Sequence, residues 1–121
     1  LSDVNVSDYE VIAVDEAQFY SDLFDVVSEW ICNGKAVFVA GLDGTSEQKE
    51  FGQIARLCHI ADVFEKQKAI CSVCVSQKRD ETPLTVATLT PAPFTKSLVS
   101  KDSTIAIGGA DKYTAVCRAH L

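Results

Sequence analysis

Two short pairs of metal-binding residues, Cys71-Ser72-Val73-Cys74 and Cys117-Arg118-Ala119-His120, constrain this chain more than anything else in it. In each pair a two-residue spacer lets both side chains reach one tetrahedral ion, and the two pairs together supply the four ligands that complete a zinc shell. A complete shell leaves no position for water. The spacing therefore predicts a structural zinc at Cys71, Cys74, Cys117 and His120, whose binding free energy is folding free energy for a region with little core of its own. The separation between the pairs, residues 75–116, is longer than in a simple finger. A redox role for Cys71 and Cys74 would need the first thiol at a helix N-terminus, whereas the flanking residues read as strand. Cys32 and Cys58 complete an odd set of five. Both lie inside apolar helical patterns, where a thiol acts as a small hydrophobe, so the chain reads as belonging to a reducing, cytoplasmic compartment.

The first half has a different character. Val11-Ile12-Ala13-Val14 is a short apolar run that reads as a buried strand and ends abruptly at Asp15-Glu16. From Ser21 to Asn33 the apolar residues Leu23, Val26, Val27, Trp30 and Ile31 recur at helical spacing, with Ser21 as N-cap and Asn33-Gly34 as the stop. Ala36-Val37-Phe38-Val39-Ala40 is a second apolar strand, and it too runs into an acid and a turn, Asp43-Gly44-Thr45. Strand, helix and strand form a βαβ unit with a parallel sheet. Ligands of such sheets bind beyond the carboxyl ends of the strands, which puts Asp15, Glu16 and Asp43 on one crevice. Asp15 stands where P-loop NTPases keep a magnesium carboxylate, and Glu16 beside it could take a proton from an attacking hydroxyl.

Further on, Ile54, Ala55, Leu57, Cys58 and Ala61 form a second helical pattern, and Val63 to Ile70 leads to the first knuckle. Residues 75–93 are polar and rich in threonine and proline, which predicts a long exposed loop or insertion. Thr104 to Ile107 reads as a short β stretch, Gly108-Gly109 as a turn and Tyr113 to Val116 as the lead into the second knuckle. A net charge of −6 with no Lys/Arg cluster argues against a nucleic-acid partner. No apolar run is long enough to span a bilayer, so no membrane role is expected.

The segment Val11-Ile12-Ala13-Val14-Asp15-Glu16-Ala17-Gln18-Phe19 resembles the second nucleotide-binding motif of the type II thymidine kinases. Ala40-Gly41-Leu42-Asp43-Gly44-Thr45, Phe51-Gly52, the Cys71/Cys74 knuckle, the run from Ile107 to Tyr113 and the closing Cys117-Arg118-Ala119-His120 follow in that family's order at nearly its spacing. The resemblance implies an α/β fold: part of a parallel-sheet, P-loop NTPase-like (RecA-like) core over residues 1–62, then a zinc-ribbon-like subdomain over 63–121. That subdomain would hold the insertion at about 75–93 and a substrate (lasso) loop at about 96–113.

The activity implied is transfer of the ATP γ-phosphate to the 5′-hydroxyl of thymidine. Glu16 would be the general base, and Asp15 would organise magnesium with ATP. Gln18 would lie near the nucleoside, Phe19, Leu42 and Phe51 would enclose the thymine, and Tyr113 would stand by sugar and base. Main-chain groups at Thr104, Ala106 and Gly108 would grip the base, with Thr95 beside it. The resemblance also implies structural zinc, a homotetramer, and dTTP as a feedback inhibitor.

Two departures qualify the pattern. The family's Walker A loop, Gly-x-x-x-x-Gly-Lys-Ser/Thr, does not occur in these 121 residues. This predicts the C-terminal two-thirds of such a kinase, inactive by itself. Ser46 replaces the family's usual phenylalanine. The competing expectation is a catalytically silent relative kept for assembly or regulation.

Overall fold

Val11-Ile12-Ala13-Val14 forms strand β1 (Val11–Val14), and Ala36-Val37-Phe38-Val39 forms β2 (Ala36–Val39). In this computed structural model, which describes residues 1–78, 85, 89–98 and 111–121, the two strands pair in parallel from Val11 with Ala36 to Val14 with Val39. The pairing continues beyond them, with the Ala40 N–H donating to Val14 O (2.8 Å) and the Ala17 N–H to Ala40 O (3.0 Å). Helix α1 (Leu23–Cys32) makes the crossover that parallel neighbours require.

Leu23, Val26, Val27 and Trp30 of α1 are its buried residues, one helical face at i, i+3, i+4 and i+7. They share a core with Ile12, Val14, Ala17, Ile54 and Leu57, the last two from the 3-10 helix Ile54–His59. The apolar runs suggest strands buried on both faces, but the structure buries one. Ile12 and Val14 face that core, while Val11 and Phe38 are 60% and 66% exposed.

The start of α1 also differs from the sequence reading. Ser21 is not the cap: the helix begins after Asp22, which makes no side-chain cap bond. Gln53 does this work from outside the helix, its Oε1 accepting the Phe24 N–H (2.8 Å) while its Nε2 donates to Ser21 O (2.5 Å). The stop at Asn33-Gly34 is as expected, with Gly34 at φ 78. Cys32 and Cys58 are exposed, so neither thiol packs as the small hydrophobe that its helical pattern suggests. Each falls on the outer side of its helical turn, where the apolar pattern overstates burial.

By its contacts the chain divides into two compact units, Leu1–Thr45 with Lys49–Phe64, and Ser46–Gln48 with Glu65–Leu121. The second contains β3 (Ala69–Ile70), helix α2 (Ser72–Lys78), β4 (Pro91–Ala92), β5 (Phe94–Ser97), β6 (Tyr113–Val116) and a closing 3-10 turn, Arg118–His120. β3 pairs antiparallel with β4, and β5 with β6 from Phe94 opposite Val116 to Ser97 opposite Tyr113. Of the loop expected over residues 75–93, residues 75–78 belong to α2 and Pro91–Ala92 to β4, while residues 79–84 and 86–88 lie outside the described residues. α2 has no long apolar stripe to announce it. It starts because the carbonyl of Cys71 accepts the Val75 N–H (3.0 Å). The buried residues here are Cys71, Ala92, Val116 and Cys117.

Candidate functional site

At the carboxyl end of β1 the chain turns sharply. Glu16 has φ 49 and ψ 39, the left-handed region that non-glycine residues seldom occupy, at a cost of about 1 kcal/mol or more. The turn leaves Asp15 and Glu16 exposed and sends the next two residues inward, Ala17 fully buried and Gln18 4% exposed. Asp15 Oδ1 accepts the Glu16 N–H (2.8 Å), which ties the two acidic residues together. Phe19 then emerges, 57% exposed.

Gln18 is the one buried polar side chain of this turn, and both ends of its amide are satisfied. Nε2 donates to Glu16 Oε2 (2.5 Å), and Oε1 accepts the Leu42 N–H (3.0 Å). Two glycines leave it room. A Cβ on Gly41 would come within 2.6 Å of Gln18 Oε1, and one on Gly52, where φ is 62, within 2.2 Å of the Gln18 carbonyl oxygen. The sequence singles out Phe51-Gly52 without revealing this purpose.

The segment after β2 returns through the Gly44–Glu50 bridge and a bond from the Phe51 N–H to Asp43 O (3.3 Å). It brings Phe51 edge-on to Phe19, ring centroids 5.4 Å apart at 87°. With Leu42 half exposed, the structure thus gathers Asp15, Glu16, Gln18, Phe19, Leu42 and Phe51 around one strand end. Such a site offers carboxylates for a proton or a hydrated cation, beside apolar surface for a flat ring.

In the second unit, β3 and α2 present Cys71 and Cys74, while the chain leaving β6 presents Cys117 and His120. Their ligand atoms all lie within 4.8 Å of one another. His120 Nδ1 is 3.5 Å from Cys71 Sγ, 3.4 Å from Cys74 Sγ and 3.4 Å from Cys117 Sγ, and the Cys74 and Cys117 sulfurs are 3.8 Å apart. An ion bonded to sulfur at about 2.3 Å and to nitrogen at about 2.05 Å in a tetrahedron sets S···N near 3.6 Å and S···S near 3.8 Å. The four groups fit that geometry. One ring nitrogen facing three sulfurs has no comparable account as hydrogen bonding, since a single Nδ1 makes at most one good bond.

Cys71 sits between β3 and the N-terminus of α2, so the strand reading holds for the residues before it and the helix position by itself would suit a redox thiol. The convergence of Cys117 and His120 on the same point favours a metal. Burial opposes ionisation of the Cys71 thiol, but main-chain N–H groups of Cys74 and Cys117, then the His120 and Cys74 side chains, outweigh it and hold the thiol at about 6. Cys74 is pushed up: the Thr90 hydroxyl favours its thiolate most, yet burial and the neighbouring Cys71 and Cys117 sulfurs prevail. The Cys74 shift reflects sulfurs crowded together, a repulsion that a bound cation would remove, whereas the Cys71 shift reflects hydrogen-bond donors turned toward its sulfur. Lys96 Nζ donates to His120 O (3.0 Å), and Ser72 Oγ lies 2.7 Å from Thr114 Oγ1, so α2, β5 and β6 brace the cluster.

Thr95 and Tyr113 lie on the β5–β6 pair, opposite Ala115 and Ser97 respectively, each half buried. Thr104, Ala106 and Gly108 lie outside the described residues.

The sequence matches the family model described as thymidine kinase over residues 1–121. It is 38% identical over 109 residues to the cytosolic thymidine kinase of Gallus gallus, covering 90% of this chain and 42% of that protein. Against thymidine kinase 1 of Dictyostelium discoideum the identity is 36% over 110 residues, 91% of this chain and 42% of the other. Against the thymidine kinase of Raccoon poxvirus it is 34% over 113 residues, 93% and 56% respectively. The chain thus spans about half the length of these relatives. Among the described residues no helix is long and apolar enough to cross a membrane.

Proposed function

The chain belongs to the thymidine kinase family, and on that premise we propose that it forms the acid–base and nucleoside-facing part of an enzyme that phosphorylates thymidine at its 5′-hydroxyl with ATP. The observation that carries this reading is the turn after β1, where an exposed Glu16 is held in an uncommon backbone conformation with its carboxylate fixed by Gln18. In the proposed role Glu16 accepts the proton of the 5′-hydroxyl as it attacks the γ-phosphate. Asp15 orients hydrated magnesium on the triphosphate. The parallel β1–β2 pair with its crossover helix would belong to a P-loop NTPase-like sheet, whose ligands collect at the strand ends.

Phe19, Phe51 and Leu42 would supply the apolar walls for thymine, and the family pattern would give Thr95, Tyr113 and main-chain groups at Thr104, Ala106 and Gly108 further parts in recognising the nucleoside. Cys71, Cys74, Cys117 and His120 would hold zinc, which supplies structure and no chemistry to the reaction. The antiparallel pairs around it suit a zinc-ribbon-like subdomain. A tetramer, feedback by dTTP and a cytosolic location complete the proposal; the last is supported by the relative named cytosolic.

The test is Glu16→Gln in the full-length protein. Turnover of thymidine should fall by at least ~100-fold, as expected on losing a general base, while thymidine binding measured calorimetrically stays within a few-fold. Unchanged turnover would remove Glu16 from this role.

A further inference from the structure

We infer that Gln18 is a positioning residue for Glu16 and not a contact for the nucleoside. Its side chain is 4% exposed, so almost none of it is available to a ligand approaching from solvent. The orientation of its amide is settled by its neighbours. The Leu42 N–H can only donate and so requires Oε1, which leaves Nε2 for the carboxylate of Glu16, an acceptor when ionised. The two bonds run in series from the backbone just beyond β2, through the amide, to Glu16. The carboxylate is thereby referenced to the sheet even though Glu16 stands on an exposed turn.

Gly41 and Gly52 are part of the same device, because a Cβ at either position would strike Gln18. The bond to Glu16 also helps to hold the left-handed backbone at that residue, since it links the side chains on either side of the buried Ala17.

This inference rests on Glu16 as the general base, and the experiment separates the two ideas. Gln18→Glu keeps an oxygen for the Leu42 N–H but removes the amide donor; Gln18→Met has similar length and removes both bonds. Each is made in the full-length protein, alone and combined with Glu16→Gln, and kcat and the thymidine KM are measured. Gln18→Glu should lower kcat roughly 10- to 100-fold, the loss typical of a misplaced or unsupported catalytic group, with KM within about 3-fold of the parent. In the Glu16→Gln background neither substitution should cost more than about 3-fold further, because a group that acts only through Glu16 has nothing left to position.

A loss confined to KM, or one that multiplies fully onto Glu16→Gln, would overturn the inference while leaving Glu16 as the base. Normal turnover by Glu16→Gln itself would overturn both. Should Gln18→Met fail to fold, Gln18→Glu carries the same comparison with the Leu42 bond retained.

Discussion

The two units are held together by different means. In the first, nine buried apolar residues from β1, the turn that follows it, α1 and the Ile54–His59 3-10 helix form one cluster, with Leu23 fully inside. In the second, the buried set among the described residues is Cys71, Ala92, Val116 and Cys117, so two of these four are proposed metal ligands. One unit gains stability from apolar area removed from water. Among its described residues the other buries few apolar side chains, and a bound ion would take the place of a core. The same contrast separates the candidate chemistry. Glu16 is held through Gln18 to the backbone just beyond β2, whereas Thr95, expected beside the base, and Tyr113, expected by sugar and base, lie on a strand pair next to the Cys/His cluster.

Paired substitutions would break this comparison most severely. Cys117→Ser removes a proposed ligand and should abolish the protection of amides in residues 65–78 and 111–121 from hydrogen exchange. Leu23→Ala should leave metal content unchanged and destabilise the first unit by about 2–5 kcal/mol, the cost of a large-to-small change at a fully buried site. If either substitution damaged both units equally, the division would be wrong. A smaller effect is expected for Gln53→Ala, which strips the start of α1 of its external cap. A loss of about 1 kcal/mol, read as a fall in thermal midpoint, would match a missing helix cap. No change would mean that solvent satisfies the Phe24 N–H equally well.

Local chemistry made part of this legible in sequence. Apolar runs at residues 11–14 and 36–39 gave the parallel pair, the i, i+3, i+4, i+7 spacing gave α1, and two Cys/His pairs with two-residue spacers gave the metal cluster. What stayed hidden depended on residues distant in sequence. Ser21 looks like a cap on local grounds, but Gln53, thirty-two residues away from it, binds that carbonyl. The α2 helix is short and carries no long apolar stripe; its packed residues, Val73 and Cys74, lie in its first turn. Cys32 and Cys58 look apolar in pattern and are exposed in fact, because each 3.6-residue repeat has flanks that the periodicity does not resolve. Gln18 gave no sequence sign of its two bonds, which require β1, β2 and the Gly52 turn to be assembled first.

The most direct test of the contrast between the units is metal analysis of the purified protein combined with a two-dimensional amide spectrum before and after a strong chelator. One zinc per folded chain is expected, with signals from residues 65–78, 89–98 and 111–121 collapsing on chelation while those of the apolar-core unit persist. Well under one zinc per chain, with the second unit's signals dispersed and indifferent to chelator, would contradict the account.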